Sequence, residues 1–173
     1  MCQEVAFRHE RWDENDHFGT EPWISDVVPA GCAATMSLRV LALDRLCWKC
    51  GEATTCVVGL YPSRPSQADC YAKTMDESSR VWIKELLEEA GYTQLADSIK
   101  PRWSATVGRR YLSNGCLHCD ALQGDFPVEE EASDLVREEG VGALSTLLVV
   151  EVPAPVWQRV VHGDHGEGGG LLM

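Results

Sequence analysis

Cys47-Trp48-Lys49-Cys50-Gly51 and Asn114-Gly115-Cys116-Leu117-His118-Cys119 carry two C-x2-C turns, with 65 residues between the pairs. A two-residue spacer lets one turn present two sulfurs to one ion, and two such turns complete a tetrahedral thiolate shell. The expectation is one structural zinc ion held by Cys47, Cys50, Cys116 and Cys119. The separation exceeds that of ordinary zinc ribbons, but the cost of closing a loop grows slowly with its length.

Each turn lies between strand-like stretches. Leu38 to Leu43 precedes the first, and Thr54 to Tyr61 follows it. Ser104 to Gly108, continuing through Tyr111, precedes the second, and Ala121 to Phe126 follows it. Thr and Val suit strands, and Asn114-Gly115 suits a tight turn. Gly51 follows the first pair, where a positive φ is often needed. Asp120 holds that place after the second, so some strain is expected there. The fold class is therefore read as α+β: a split zinc ribbon of two CxxC β-hairpins with a helical insert between them.

Two other readings of the cysteines stand beside this one. Free cysteines pack like small hydrophobes, and paired cysteines can form redox dithiols. Neither pair opens a convincing helix, which is the setting of a thioredoxin-like site. Among the remaining cysteines, Cys56 alternates with Thr55 and Val57 and reads as packing. Cys2, Cys32 and Cys70 have no paired spacing. His118 reads as a knuckle surface residue. Trp48 reads either as a cover for the metal's apolar side, the commoner role, or as a base-stacking platform. His162 and His165 form a weak pair in a glycine-rich tail.

The insert spans about residues 62–101. Pro62, Ser63, Pro65 and Ser66 mark a loop. Asp76 is a candidate N-cap for a helix over Glu77 to Ala90, with Val81, Trp82, Leu86 and Ala90 on its apolar face and Gly91 at C′. A short helix over Gln94 to Ile99 is expected to stop at Pro101. Glu129 to Glu139 suggests a short solvated helix, and Leu144 to Val152 a strand closed by Pro153 and Pro155. The domain is placed at residues 36–160. Residues 1–35 form an acidic flank, which is either packed on the domain through Trp12 and Trp23 or an upstream extension of a chain starting at Met36. Residues 161–173 are expected to be a disordered tail.

The 173-residue chain has a net charge of −12. Residues 1–35 contribute −5 and residues 120–173 contribute −9, while residues 36–119 carry +2. An acidic whole repels phosphate backbones at long range. No apolar run reaches the ~18 residues of a membrane span, and the N-terminus lacks signal-peptide blocks. A cytoplasmic protein with reduced cysteines is expected. Lys100, Arg102, Arg109 and Arg110, with Trp103 and Tyr111, are the candidate nucleic-acid patch, although alternation puts Arg109 and Arg110 on opposite strand faces.

Cys47-Trp48-Lys49-Cys50-Gly51 together with Asn114 to Phe126 resembles a group of uncharacterised bacterial proteins with a split zinc ribbon. Their second knuckle reads N-x-C-P-x-C-G-A-x-Q-G-D-[FY]. The resemblance covers about residues 36 to 127 and departs at Leu117 (Pro in the group) and Asp120 (Gly in the group). It implies zinc and fold, and brings no activity with it. Gln123-Gly124-Asp125 reads as a tight turn fixed by Gly124 and capped by Asp125.

No GxSxG elbow, P-loop or HExxH is present, and a four-cysteine shell leaves no open position for water. The leading functional expectation is a non-enzymatic zinc protein, adaptor or regulatory, with a protein partner. The alternatives are a nucleic-acid-binding zinc ribbon and a thiol redox protein.

Overall fold

The stretch before the first cysteine pair is one long strand because hydrophobic and β-branched residues run along it without a breaker. In the computed structural model, which describes residues 9–12, 18–21, 35–63, 72–73 and 77–157, the mixed α/β chain is built on antiparallel sheets. Asp76, Cys2, Cys32, Cys70, Trp23 and the tail with His162 and His165 lie outside the described residues. Strands β1 (His9–Trp12) and β2 (Phe18–Glu21) pair as a hairpin in the N-terminal flank.

β3 (Thr35–Leu46) and β4 (Ala53–Pro62) form the hairpin that carries the first CxxC. β5 (Ala72–Lys73) pairs with β4. α1 (Glu77–Glu89) and α2 (Thr93–Ser98) come next. β6 (Lys100–Ser104) and β7 (Arg109–Ser113) make a separate two-stranded sheet. After the second CxxC come α3 (Asp125–Glu139), a 3-10 turn over Val141–Ala143, and β8 (Ser145–Pro153). The main sheet has the order β5-β4-β3-β8. Register shifts at Leu41/Ala42 toward β4 and at Val40/Leu41 toward β8 leave Val58 and Leu147 as extra residues. Bulges opposite one point of β3 bend the sheet there.

Both faces of the sheet are covered. Leu38, Val40, Val57 and Leu60 pack against Trp82, Ile83, Leu86 and Leu87 of α1, Leu95 and Ala96 of α2, and Trp157. Leu41, Leu43, Cys56 and Val58 pack against Val128 and Ala132 of α3 and against Leu144. Burying apolar faces on both sides drives the layering, at ~25 cal/mol per Å².

The expected α1, strand β8 and Gly91, at φ 82°, are present. The α1 face differs slightly from the expected one: Ile83 and Leu87 are fully buried, whereas Ala90 is exposed beyond the helix end. The acidic helix is longer than expected and is amphipathic rather than wholly solvated, because Val128 and Ala132 turn onto the sheet.

Three local readings change in the second unit. Residues 105–108 are a turn between β6 and β7, closed by Gly108 N–H to the Ser104 carbonyl at 2.8 Å, with Gly108 at φ 73°. Pro101 lies within β6, a strand of a two-stranded sheet, where its missing N–H is tolerated. Residues 121–126 form no strand beyond a single Gly115–Leu122 bridge. Pro127 cannot donate to a ladder but is compatible with a first helical turn, so the chain leaves the second knuckle as α3.

Asp125 makes no cap. It is the first helical residue, and its carboxylate lies 2.9 Å from the buried Arg80 of α1. Burial pushes the Asp125 carboxyl up, against the pull of Arg80. Arg80 also stands over the Tyr111 ring at 5.9 Å. This pair ties the helices of opposite layers together. Asp125→Ala strands a buried guanidinium and is expected to cost about 3–5 kcal/mol of unfolding free energy in urea titrations. Glu131→Ala, at the half-exposed Arg45 pair, is expected to cost under about 1 kcal/mol. Equal losses would contradict the role given to the Arg80 pair.

Candidate metal centre

The sulfurs of Cys47, Cys50, Cys116 and Cys119 all lie within 4.8 Å of one another. Contacts of 3.7 Å run between the two turns, from Cys47 to Cys119 and from Cys50 to Cys116. None of the four is in a disulfide. The structure thus brings together all four residues singled out from the sequence, in an arrangement able to hold a metal ion.

The two turns have the same backbone plan. Cys47 N–H bonds the Glu52 carbonyl and Gly51 N–H the Cys47 carbonyl, both at 2.9 Å. Cys116 N–H bonds the Ala121 carbonyl at 2.9 Å, and Asp120 N–H bonds the Cys116 carbonyl at 3.0 Å. Lys49 N–H donates to the Cys47 sulfur and His118 N–H to the Cys116 sulfur, each at 3.4 Å. Gly51 and Asp120 hold positive φ, at 76° and 58°, as the spacing predicts.

These donors decide the thiol chemistry. Burial works to raise the Cys47 thiol, but the N–H groups of Cys50 and Lys49 outweigh it and hold it down to about 6. Cys116 shows the same balance and is also lowered, by the N–H groups of Cys119 and His118. At Cys50 the Glu52 N–H favours the thiolate, yet burial and the neighbouring cysteines push it up to about 12. Four thiols this close cannot all ionise without a cation among them. Cys56 is different: it is fully buried on the α3 side of the sheet, and desolvation pushes it up to about 12, so it packs and stays protonated.

Several residues that position the centre carry no cysteine signal. Asn114 is buried and docks the second knuckle on β4. Val57 N–H donates to its Oδ1 at 3.0 Å, and its Nδ2 donates to the Val57 carbonyl at 2.9 Å. The Asn114-Gly115 pair is therefore no tight turn. Gly115 instead leaves room for Arg102, whose Nη2 would be 1.9 Å from a Cβ there. Gln123, also buried, donates to the Cys47 sulfur at 3.4 Å and to the Ala121 carbonyl at 3.0 Å. It crosses from one knuckle to the other rather than forming the expected turn.

Arg102 donates to the carbonyls of Ser113 and Asp120 at 2.7 Å and 3.2 Å, and pairs with the Asp120 carboxylate. Lys100 pairs with the same carboxylate at 2.9 Å. Partial burial opposes ionisation of Asp120, but these cations outweigh it and hold its carboxyl below the ordinary range. Two members of the candidate nucleic-acid patch are thereby engaged. Of the other two, Arg110 is the cross-strand partner of Trp103 and Arg109 that of Ser104, so they face opposite sides of the hairpin.

Trp48 reaches across to the opposite turn. It is 70% exposed, and its Nε1 donates to the Leu122 carbonyl at 2.7 Å. His118 reaches the other way, with Nε2 3.0 Å from the Ala53 carbonyl. No helix of the described residues is long and apolar enough to cross a membrane. No protein-family model, curated protein or solved structure matches the chain.

Asn114→Ala removes the two hydrogen bonds that dock the second knuckle on Val57. It is expected to lower stability by about 2–4 kcal/mol in chemical denaturation. A loss within about 0.5 kcal/mol, the range of ordinary surface substitutions, would remove Asn114 from the docking role.

Proposed function

We propose that this chain is a zinc-binding protein in which one structural zinc ion, held by Cys47, Cys50, Cys116 and Cys119, closes a split zinc ribbon, and that it acts without catalysis as an adaptor or regulatory partner. The observation that carries the reading is the spacing of the sulfurs. A tetrahedron with ~2.3 Å zinc–sulfur bonds has sulfur–sulfur edges of about 3.8 Å. The 3.7 Å contacts between turns match it. Contacts at that length between turns favour a shared ion over two separate redox dithiols. N–H donors at the Cys47 and Cys116 sulfurs favour their thiolate forms, which a cation would need.

The non-catalytic part rests on coordination. Four thiolates saturate the ion, and no position remains for an activated water. Preference for a protein partner over nucleic acid rests on charge: the chain carries −12, and Asp120 occupies Lys100 and Arg102.

Native mass spectrometry of reduced protein purified without added metal is expected to find one zinc per chain. Finding none would refute the zinc reading. Thermal unfolding separates ligands from packing cysteines. Cys116→Ser is expected to lower stability by several kcal/mol, because zinc binding at ~10–16 kcal/mol is coupled to folding. Cys56→Ser is expected to cost about 1–2 kcal/mol, and chelator should destabilise wild type but scarcely change Cys116→Ser. The reverse order would reassign the ligands.

A further inference from the structure

Two large aromatic side chains stand in water, one inside the first cysteine turn and one where the chain leaves the second. Trp48 is 70% exposed and Phe126 is 71% exposed. Trp48 is held by its bond to the Leu122 carbonyl, and the segment from Leu122 to Phe126 can span at most about 14 Å. Phe126 therefore starts α3 within that reach of the carbonyl that holds Trp48. Trp48 is held by a hydrogen bond, and the backbone of Phe126 is fixed by the first turn of α3. A bulky, pre-oriented aromatic left in water is typical of a binding anchor.

Phe126 begins a ridge along α3. Glu130, Asp134 and Glu138 come at every fourth position, and all are exposed. Asp134 is paired with Arg137, whereas Glu130 and Glu138 have no ion pair among the described residues. The whole helix carries seven acidic residues and one arginine. Glu52, exposed, lies just after the first cysteine turn. Phe126 is thus bordered by negative charge along α3, and Trp48 is followed along the chain by the exposed Lys49 and Glu52.

We propose that Trp48, Phe126 and the acidic ridge of α3 form a docking surface for a basic, amphipathic segment of a partner protein. An apolar side chain of that segment contacts the aromatic rings, while its lysines or arginines lie along Glu130, Asp134 and Glu138. The charge excludes the other occupants. Nucleic acid and anionic membranes would meet the ridge with like charge. A second copy in a twofold contact would bring its own acidic ridge to the same place. The exposed Trp103 has Arg110 as its cross-strand neighbour and no acidic helix in line with it, unlike Phe126.

This inference rests on the zinc-held arrangement of the two turns, so zinc content and folding are measured first. Isothermal titration of the full, zinc-loaded chain would use a synthetic Leu/Lys amphipathic peptide, a Leu/Glu peptide of the same pattern and a single-stranded oligonucleotide. The Leu/Lys peptide is expected to bind, more weakly as salt rises, and the other two are not. Trp48→Ala and Phe126→Ser are each expected to weaken binding by about tenfold or more, with Trp103→Ala unchanged. Phe126→Ser leaves every hydrogen bond of the turns in place, so it decides the question if Trp48→Ala loses zinc. Unchanged binding by zinc-loaded Phe126→Ser, an equal loss in Trp103→Ala, or preference for the oligonucleotide would overturn the docking surface while leaving the zinc reading intact. Absence of zinc from wild type would instead refute the zinc reading itself.

Discussion

Convergence of four sulfurs from two turns is the constraint on which the second half of the molecule depends. The β6–β7 hairpin belongs to its own sheet and has no strand pairing to β3 or β4. The second knuckle is attached to the first hairpin by the sulfur contacts, by the paired bonds of Asn114 with Val57, and by Leu117 N–H to the Thr54 hydroxyl at 3.0 Å. Gln123 to the Cys47 sulfur, Trp48 to the Leu122 carbonyl and His118 with the Ala53 carbonyl add to these. Losing the sulfur contacts would leave α1 and α2 packed on the sheet but would hold the second knuckle by neutral hydrogen bonds, each worth about 1 kcal/mol.

The departure from glycine at Asp120 shows how a strained backbone is kept. A non-glycine residue in the left-handed region costs about 1–3 kcal/mol. Asp120, at φ 58°, offsets this with its carboxylate, which gathers Arg102 and Lys100. Arg102 in turn reaches the Ser113 and Asp120 carbonyls through the space left by Gly115. A glycine at position 120 would relax φ but leave the largely buried guanidinium of Arg102 without its carboxylate. Residues 102, 115 and 120 therefore work as a set, and the cations there hold the knuckle.

Residues whose chemistry repeats at short range were legible in the sequence. The CxxC spacing indicated the cluster, strand-suited residues indicated β3 and β4, an apolar stretch closed by prolines indicated β8, and amphipathic spacing with Gly91 indicated α1. Positive φ at Gly51 and Asp120 came from their place after the second cysteine of each pair. The features that were not legible depend on contacts across the chain. Asn114 looked like half of an Asn-Gly turn because local propensity cannot show that Val57 awaits it. Lys100 and Arg102 looked like a patch because Asp120 is distant in sequence from both. Ser104 to Gly108 carries strand-forming residues, yet the turn wins because Gly108 supplies a positive φ.

The two knuckles are nearly interchangeable at the backbone, so they differ in the side chains inside each turn and in the element that each turn feeds. Trp48 crosses to the carbonyl of Leu122, and His118 crosses to that of Ala53; each acceptor lies three residues beyond the second cysteine of the opposite turn. The exits then diverge. Ala53 continues as β4, the hydrogen-bonded partner of β3. Leu122 makes one bridge and yields to Gly124 and α3. Pro127 decides between these outcomes, because it forbids a ladder bond two residues after Asp125 and fits the start of a helix. Leaving as a helix brings Asp125 to Arg80 and turns Val128 and Ala132 onto the open face of the sheet. The same turn of helix carries Phe126 outward. One proline thus couples the buried ion pair, the second core layer and the exposed aromatic, in a stretch leaving a knuckle that by itself could have continued as a strand.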